Sequence, residues 1–233
     1  MCIIGDVGSG KSSLLNAIIG DLLYLDSDFI NDHKDDLVSN DVVISTVKME
    51  GQRKMSEAPI TVSESIAYVQ QNPWIQNKTI RDNILFGLPY DAEKYKVTIK
   101  ICQLRRELKI LPAGDMTEIG EKGINLSGGQ KARVSLARAV YSDKSIVLMD
   151  DPISALDANV KKKIFKRVFL RRFKDKTRIL VTHAVDFLHF VDTIILLKKG
   201  KIVLKGSFEE LKNSDYLKEI IEIHKGHMNT GIQ

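Results

Sequence analysis

Cys2-Ile3-Ile4-Gly5-Asp6-Val7-Gly8-Ser9-Gly10-Lys11-Ser12-Ser13 is the stretch that decides the fold. Cys2 to Ile4 reads as the end of a buried strand, and Leu14, Leu15, Ile18 and Ile19 recur at helical spacing, so a helix is predicted from Lys11 to Ile19 with Gly20 as its stop. Between strand and helix, residues 5 to 12 fit G-x-x-x-x-G-K-S, in the context that gives this pattern its meaning. Glycines there let successive backbone N–H groups turn inward on phosphate oxygens, and the helix N-terminus adds positive potential. In this reading Lys11 reaches the β and γ phosphates of a nucleotide. Ser12 holds Mg²⁺ through its hydroxyl, with Ser13 beside the α phosphate.

Working outward, Ile146-Val147-Leu148-Met149 reads as a strand buried on both faces that ends in Asp150-Asp151. A carboxylate delivered at a strand's C-terminal end lies where doubly wound sheets bind ligands, so Asp150 is the expected Mg²⁺ partner, acting through water. Ile66 to Val69 and Arg178 to Val181 are further strands. Thr79 to Phe86, Asp91 to Leu111, Gly128 to Tyr141 and Ala158 to Phe173 read as helices, the second closed by Pro112 and Gly114. Buried strands alternating with helices make a mostly parallel sheet in an α/β fold. Thr193 to Leu197 and Lys201 to Leu204 flank a Lys199-Gly200 turn as a closing hairpin, and the tail from Ser207 is helical to about Lys225. From Asp21 to Ser63 no period persists, although Val42 to Ile44 suits a strand of a small antiparallel unit.

Composition agrees with a folded domain. Of 233 residues, 43% are hydrophobic and 28% charged, which excludes disordered and fibrous classes. No apolar run is long enough to span a bilayer. The first residues lack the features of a secretory signal, so a cytosolic location is expected. Cys2 and Cys102 have no metal-ligand spacing and read as reduced core thiols. The net charge of +5 is modest for nucleic-acid binding. Lys161 to Arg178 nevertheless holds ten cations and one acid, Asp175, and Asp21 to Asp41 is acid-rich. A single basic run is usually a solvated helix face.

Leu126-Ser127-Gly128-Gly129-Gln130 resembles the LSGGQ signature of ATP-binding cassette (ABC) transporters, and the motifs around it fall in that family's order. Lys131 to Ala139 continues the signature helix, and Ser154-Ala155-Leu156-Asp157 resembles the D-loop. His183 resembles the switch histidine. Gln71, rather than Gln70, resembles the Q-loop glutamine, three residues before Trp74. The segments Trp74 to Asn77, Thr79 to Gly87 and Gly123 to Asn125 are similar to the first cassette of the C subfamily, the multidrug-resistance-associated type.

This resemblance covers most of the chain and implies one ABC domain over residues 1–233 with a P-loop NTPase core. A helical signature subdomain is expected over 75–140, an inserted loop or β region over 21–63 within an incomplete antiparallel β subdomain, and a helical tail over 207–233. It implies two cassettes closing head to tail around two ATP molecules with Mg²⁺. Gly5, Asp6, Val7, Gly8, Ser9, Gly10, Lys11, Ser12, Ser13, Gln71, Asp150 and His183 would hold one nucleotide. Ser127, Gly128, Gly129 and Gln130 would serve the one bound by the partner cassette. Gln71 would also touch the metal, and a transmembrane domain is the other implied partner, with no nucleic acid. Trp74, Ile75, Ile84, Leu85 and Phe86 would form the face that meets it.

Two departures from the family pattern qualify this expectation. Asp151 stands where hydrolytically competent cassettes usually carry the glutamate that positions water, and a side chain one methylene shorter implies slow turnover. The chain also begins four residues before Gly5, which implies a truncated or misassigned start without the aromatic that stacks on adenine, and hence weak isolated affinity. Two other functions compete: a regulatory nucleotide-binding module with little turnover, and a soluble cassette ATPase acting on DNA or ribosomes. The sequence lacks the long coiled-coil insertions or tandem cassettes that would favour the last.

Overall fold

The computed structural model describes residues 1–22, 62–120 and 123–229, with side chains described as far as Glu222. Met1–Ser12 together with Glu64–Gln233 forms one compact unit, and Ser13–Ser63 another. Most of the expected inserted region, including Val42 to Ile44 and the acid-rich stretch, lies outside the described residues.

In the larger unit, β1 (Cys2–Gly5), β2 (Ile66–Val69), β3 (Ile146–Asp150), β4 (Thr177–Val181), β5 (Ile194–Lys198) and β6 (Lys201–Gly206) form one sheet in the order β2-β3-β4-β1-β5-β6. Every pairing is parallel except β5 with β6. The mostly parallel α/β sheet is therefore as expected, and the antiparallel pair is the hairpin around Lys199-Gly200. Buried runs such as Val147 to Asp150 and Ile194 to Leu197 show why these segments are strands: they bury side chains on both faces.

Helix α1 (Lys11–Ile19) follows β1, and its Ser13–Ile19 portion belongs to the second unit. Gly20, at φ +93°, stops it by donating to the Asn16 carbonyl at 3.1 Å. Between β2 and β3 come α2 (Ile80–Leu85), α3 (Ala92–Ile101), α4 (Arg105–Ile110) and α5 (Gly128–Ser142). Helix α6 (Ala158–Ile164) joins β3 to β4, and α7 (Phe208–Leu211) and α8 (Asp215–Asn229) follow the sheet. Thr79 caps α2 by accepting from the Asp82 N–H, and Asp91 caps α3 by accepting from Lys94.

Two helices differ from expectation. The single helix predicted from Asp91 to Leu111 is two, broken at Gln103, whose φ is +60°. The break lets Leu104 donate to Ile99 five residues back and brings both Cys102 and Leu104 into the core. Beyond Ile164 the predicted Ala158 to Phe173 helix widens into a π-helix over Phe165–Arg172, closed by Phe173 N–H to the Val168 carbonyl at 2.9 Å. The wider turn keeps Phe165, Val168, Phe169 and Phe173 all buried.

Both cysteines are free and buried, as expected of core thiols. Burial pushes the Cys2 thiol up to about 12 and raises that of Cys102 as well. No helix among the described residues is long and apolar enough to cross a membrane. Of the basic run, Arg172 and Lys176 pair with Asp143 at 2.8 and 2.7 Å, while Lys162, Lys163, Lys166, Arg167 and Arg171 face solvent.

Candidate functional site

Four neighbouring parallel strands, β2-β3-β4-β1, end on the same side of the sheet, because parallel strands share a direction. Gln71 follows β2, Asp150 ends β3 with Asp151 next, His183 follows β4, and the glycine loop follows β1. Topology thus gathers residues from four distant parts of the chain at one edge of the fold.

The loop is held by its own polar groups. Lys11 is buried, and its ammonium donates to the Gly5 carbonyl at 2.9 Å, the Asp6 carbonyl at 2.7 Å and Ser9 Oγ at 3.4 Å. Burial lowers the Lys11 pKa, while Asp150, Asp6 and Asp151 act in the opposite direction. Ser9 N–H bonds the Asp6 carbonyl at 3.2 Å, and the Gly200 N–H reaches the Ser9 carbonyl at 3.0 Å, so the β5–β6 turn braces the loop. Gly8 and Gly10 adopt φ +77° and +95°, which L side chains rarely take. Val7 and Ser12 are exposed, and Ser13 is the third residue of α1.

Asp150 and Asp151 are both buried. The backbone of Asp151 is fixed at two points: its N–H donates to the Val181 carbonyl at 2.8 Å, and its carbonyl accepts from Ser154 Oγ at 3.0 Å. It sits at φ +41°, an uncommon conformation for any residue but glycine. Thr182 Oγ1 donates to Asp151 Oδ1 at 3.1 Å. His183, the next residue, is half-buried.

Helix α5 begins at the signature. Ser127 is its N-cap and accepts from the Gln130 N–H at 3.3 Å, while Gln130 Oε1 accepts from the Ser127 N–H at 2.8 Å. This reciprocal box turns the Gln130 side chain back on the helix start and leaves Ser127 and Gly128 exposed. A Cβ at Gly129 would meet the Ala155 carbonyl at 3.0 Å, so the signature and the Ser154-Ala155 turn approach closely. A cavity of about 260 Å³ has Gln70, Gln71, Gly128, Asp151, Ser154 and Ala155 in its wall. It unites the residues after β2, the aspartate after β3 and the signature, but no residue of the glycine loop lines it. Gln70 and Gln71 line it alike, so geometry does not separate the two.

A metal at this edge would need oxygen donors. Among the described residues no group of three or more His, Cys, Asp or Glu could cage an ion. Mg²⁺ binds through one or two carboxylates together with substrate phosphates rather than in an all-protein cage. The residues fit: Asp150 is a buried carboxylate at a strand end, coupled electrostatically to Lys11.

The face expected around Trp74 divides in two. Trp74 and Phe86 are 55% and 46% exposed, whereas Ile84 is fully buried and Ile75 and Leu85 pack partly into the core. Ile84 is therefore core and not part of a docking face. It lies on the buried side of α2, with Ile80 and Asn83.

Several residues that support the site carry no motif. Arg133 ties the signature helix to the α3–α4 break by donating to the Gln103 carbonyl at 3.0 Å and pairing with Glu107. Arg138 bonds the carbonyls of Asn83 at 2.9 Å and Trp74 at 3.2 Å. Asn83 is itself buried and ties down the Gln76 to Thr79 segment. For Thr182, the only signal in the sequence is a hydroxyl residue at a strand end before a histidine.

The family model described as ABC transporter matches residues 1–154. The chain is 46% identical over 213 residues to the multidrug resistance protein mrp-7 of Caenorhabditis elegans. It is 47% identical over 213 residues to ATP-binding cassette sub-family C member 2 of Mus musculus. To ABC transporter C family member 3 of Dictyostelium discoideum it is 43% identical over 212 residues. Each alignment covers 91% of this chain but only 12 or 13% of the relative, so the chain spans about an eighth of the length of the proteins it matches. On the match to more than half its length and on these identities, the chain belongs to the ABC transporter family.

Proposed function

We propose that this chain is an ATP-binding cassette that binds ATP with Mg²⁺ and hydrolyses it slowly to drive a membrane exporter. The observation that carries this reading is the convergence of the Lys11 loop, Asp150, Asp151, His183 and Gln71 at the ends of four adjacent parallel strands. The loop from Gly5 to Ser13 supplies backbone donors and the Lys11 ammonium to the phosphates. Ser12, Asp150 and Gln71 are the groups that would hold Mg²⁺, which when bound neutralises phosphate charge. Asp151 and His183 are the candidate groups for the attacking water and the γ phosphate.

Ser127, Gly128, Gly129 and Gln130 open helix α5 on an exposed turn, which suits them to the nucleotide held by a second cassette. Closure head to tail then requires ATP, and hydrolysis reopens the pair. A transmembrane domain is the second proposed partner, meeting the exposed Trp74 and Phe86, and the working place is the cytoplasmic face of a membrane. Nucleic acid has no part in this reading.

The test is ATP retention by the purified chain with and without Mg²⁺. Magnesium-dependent binding is expected, and Lys11→Met should weaken it by at least roughly tenfold, the loss of about 1.4 kcal/mol or more of charge-assisted hydrogen bonding. Binding indifferent to both changes would sink the reading.

A second function has one observation in its favour. The short carboxylate of Asp151 suits a regulatory module that closes without productive turnover. Asp151→Glu separates the two: in the assembled transporter, single-turnover hydrolysis is expected to rise by roughly tenfold or more as the carboxylate moves about 1 Å toward the water. An unchanged rate in quenched-flow measurements would leave the regulatory reading.

A further inference from the structure

We infer that Thr182 is a positioning residue that aims the Asp151 carboxylate, an inference that rests on the hydrolytic reading above. Thr182 is 1% exposed and stands between β4 and His183. A threonine hydroxyl has one proton to give and two lone pairs to receive with. The Ala184 N–H donates to Thr182 Oγ1 at 3.0 Å, which spends one lone pair, and Oγ1 lies 3.1 Å from Asp151 Oδ1. The hydroxyl is the donor in that contact, so its proton points at Asp151 and the bond has a fixed direction.

The rest of Asp151 explains why this bond matters. Its backbone is already held by Val181 and Ser154 at φ +41°, so the free motion left to it is rotation of a short side chain. Thr182 takes Oδ1 and so restricts that rotation, leaving the orientation of Oδ2 determined. The Ala184 bond spans His183, so one hydroxyl fixes both the aspartate carboxylate and the backbone at the histidine. Thr182 N–H also donates to the Ile3 carbonyl in β1 at 3.2 Å, so the hydroxyl is mounted on the strand that carries the glycine loop. An aspartate at the position of a longer base depends on aim, because it has one torsion fewer with which to recover a misplacement.

The experiment compares Thr182→Val, which keeps the shape and removes the hydroxyl, with Thr182→Ser, which keeps the hydroxyl. Single-turnover hydrolysis and ATP affinity are measured for each, with thermal melting to confirm folding. Thr182→Val is expected to lower the hydrolysis rate roughly tenfold to a hundredfold while changing ATP affinity by less than about twofold. Thr182→Ser should restore at least half of the rate. In an Asp151→Asn background, Thr182→Val should cause no further loss, since a residue acting through another adds nothing once that other is gone. A wild-type rate in Thr182→Val overturns the inference. So does an equal loss in the Asp151→Asn background, or a loss of rate and affinity together that Thr182→Ser does not repair. If the chain retains ATP but the parent shows no turnover, the hydrolytic reading fails by itself. The carboxyl carbon resonance of Asp151 then decides the contact: it should shift in Thr182→Val and return in Thr182→Ser, and an unmoved resonance overturns the inference.

Discussion

Gly5→Ala is expected to destabilise the fold severely and to cripple ATP retention. An added Cβ would stand 2.2 Å from the Leu197 carbonyl oxygen and 2.8 Å from Ser9 Oγ, and Gly5 adopts φ +149°, a region that side chains avoid. The clash is with the backbone of β5, the paired neighbour of β1 in register at this residue, so relief requires separating two central strands or moving the glycine loop. The destabilisation should reach about 4 kcal/mol, in the range reserved for core overpacking combined with backbone strain. Any folded remnant should bind ATP at least roughly a hundredfold more weakly, since a displacement of about 1 Å suffices for that loss at a positioned site. Gly8→Ala is the matched control. Its φ is also positive, at +77°, but nothing lies within 4 Å of the added Cβ, so only the conformational cost of about 1 to 2 kcal/mol applies. Denaturant melts and fluorescent-nucleotide titration of the two variants measure the difference, and equal losses would show that the approach of Leu197 is not what demands glycine.

The contrast between these glycines bears on what the sequence discloses. The glycine loop, β3 and the Asp150-Asp151 pair are legible because local pattern and chemistry coincide: a buried strand, then residue types that few other tasks require. The signature was readable for a different reason, as its five residues resemble a known family. What escaped depends on distant partners. Apolar spacing runs unbroken through Cys102, Leu104, Leu108 and Leu111, so nothing local marks the break at Gln103. The carbonyl of Gln103 accepts from Arg133, thirty residues on, and the burial of Leu104 offsets a left-handed residue costing about 1 kcal/mol. The π-widening after Ile164 escaped likewise, because Val160, Ile164 and Val168, and with them Phe165, Phe169 and Phe173, all fit the spacing of an ordinary helix. Ile84 beside Phe86 shows the same limit: both are apolar, and which one is exposed is settled by the packing beneath α2.

Arg138 is the strongest instance, since in sequence it is one more cation on a signature helix. In the structure it is half-buried, and its guanidinium donates to the Asn83 carbonyl at 2.9 Å, Asn83 Oδ1 at 3.3 Å and the Trp74 carbonyl at 3.2 Å. It also lies 4.3 Å from the centre of the Phe86 ring and 5.8 Å from that of Trp74. Those rings meet edge to face at 6.0 Å. One planar fork therefore holds together the segment after Gln71, helix α2 and helix α5. Burial lowers its pKa without threatening its charge, since guanidinium stays protonated far above neutrality. Arg138→Ala removes three hydrogen bonds and two ring contacts, so a loss of about 3 kcal/mol is expected, a melting temperature lower by roughly 6 to 12 °C. Arg138→Lys should recover less than half of this, because an ammonium cannot match the spacing of the fork. The functional consequence follows from where the fork sits. Ser127 lies about 16 Å away along α5, so the exposed Trp74 and Phe86 pair and the signature are mounted on one rigid rod. With the rod detached, ATP retention at the Lys11 loop should persist while, on the exporter function proposed above, ATP turnover in the assembled transporter should lose its response to transported substrate. Loss of ATP retention in step with loss of coupling would mean that Arg138 supports the whole fold and not this one connection.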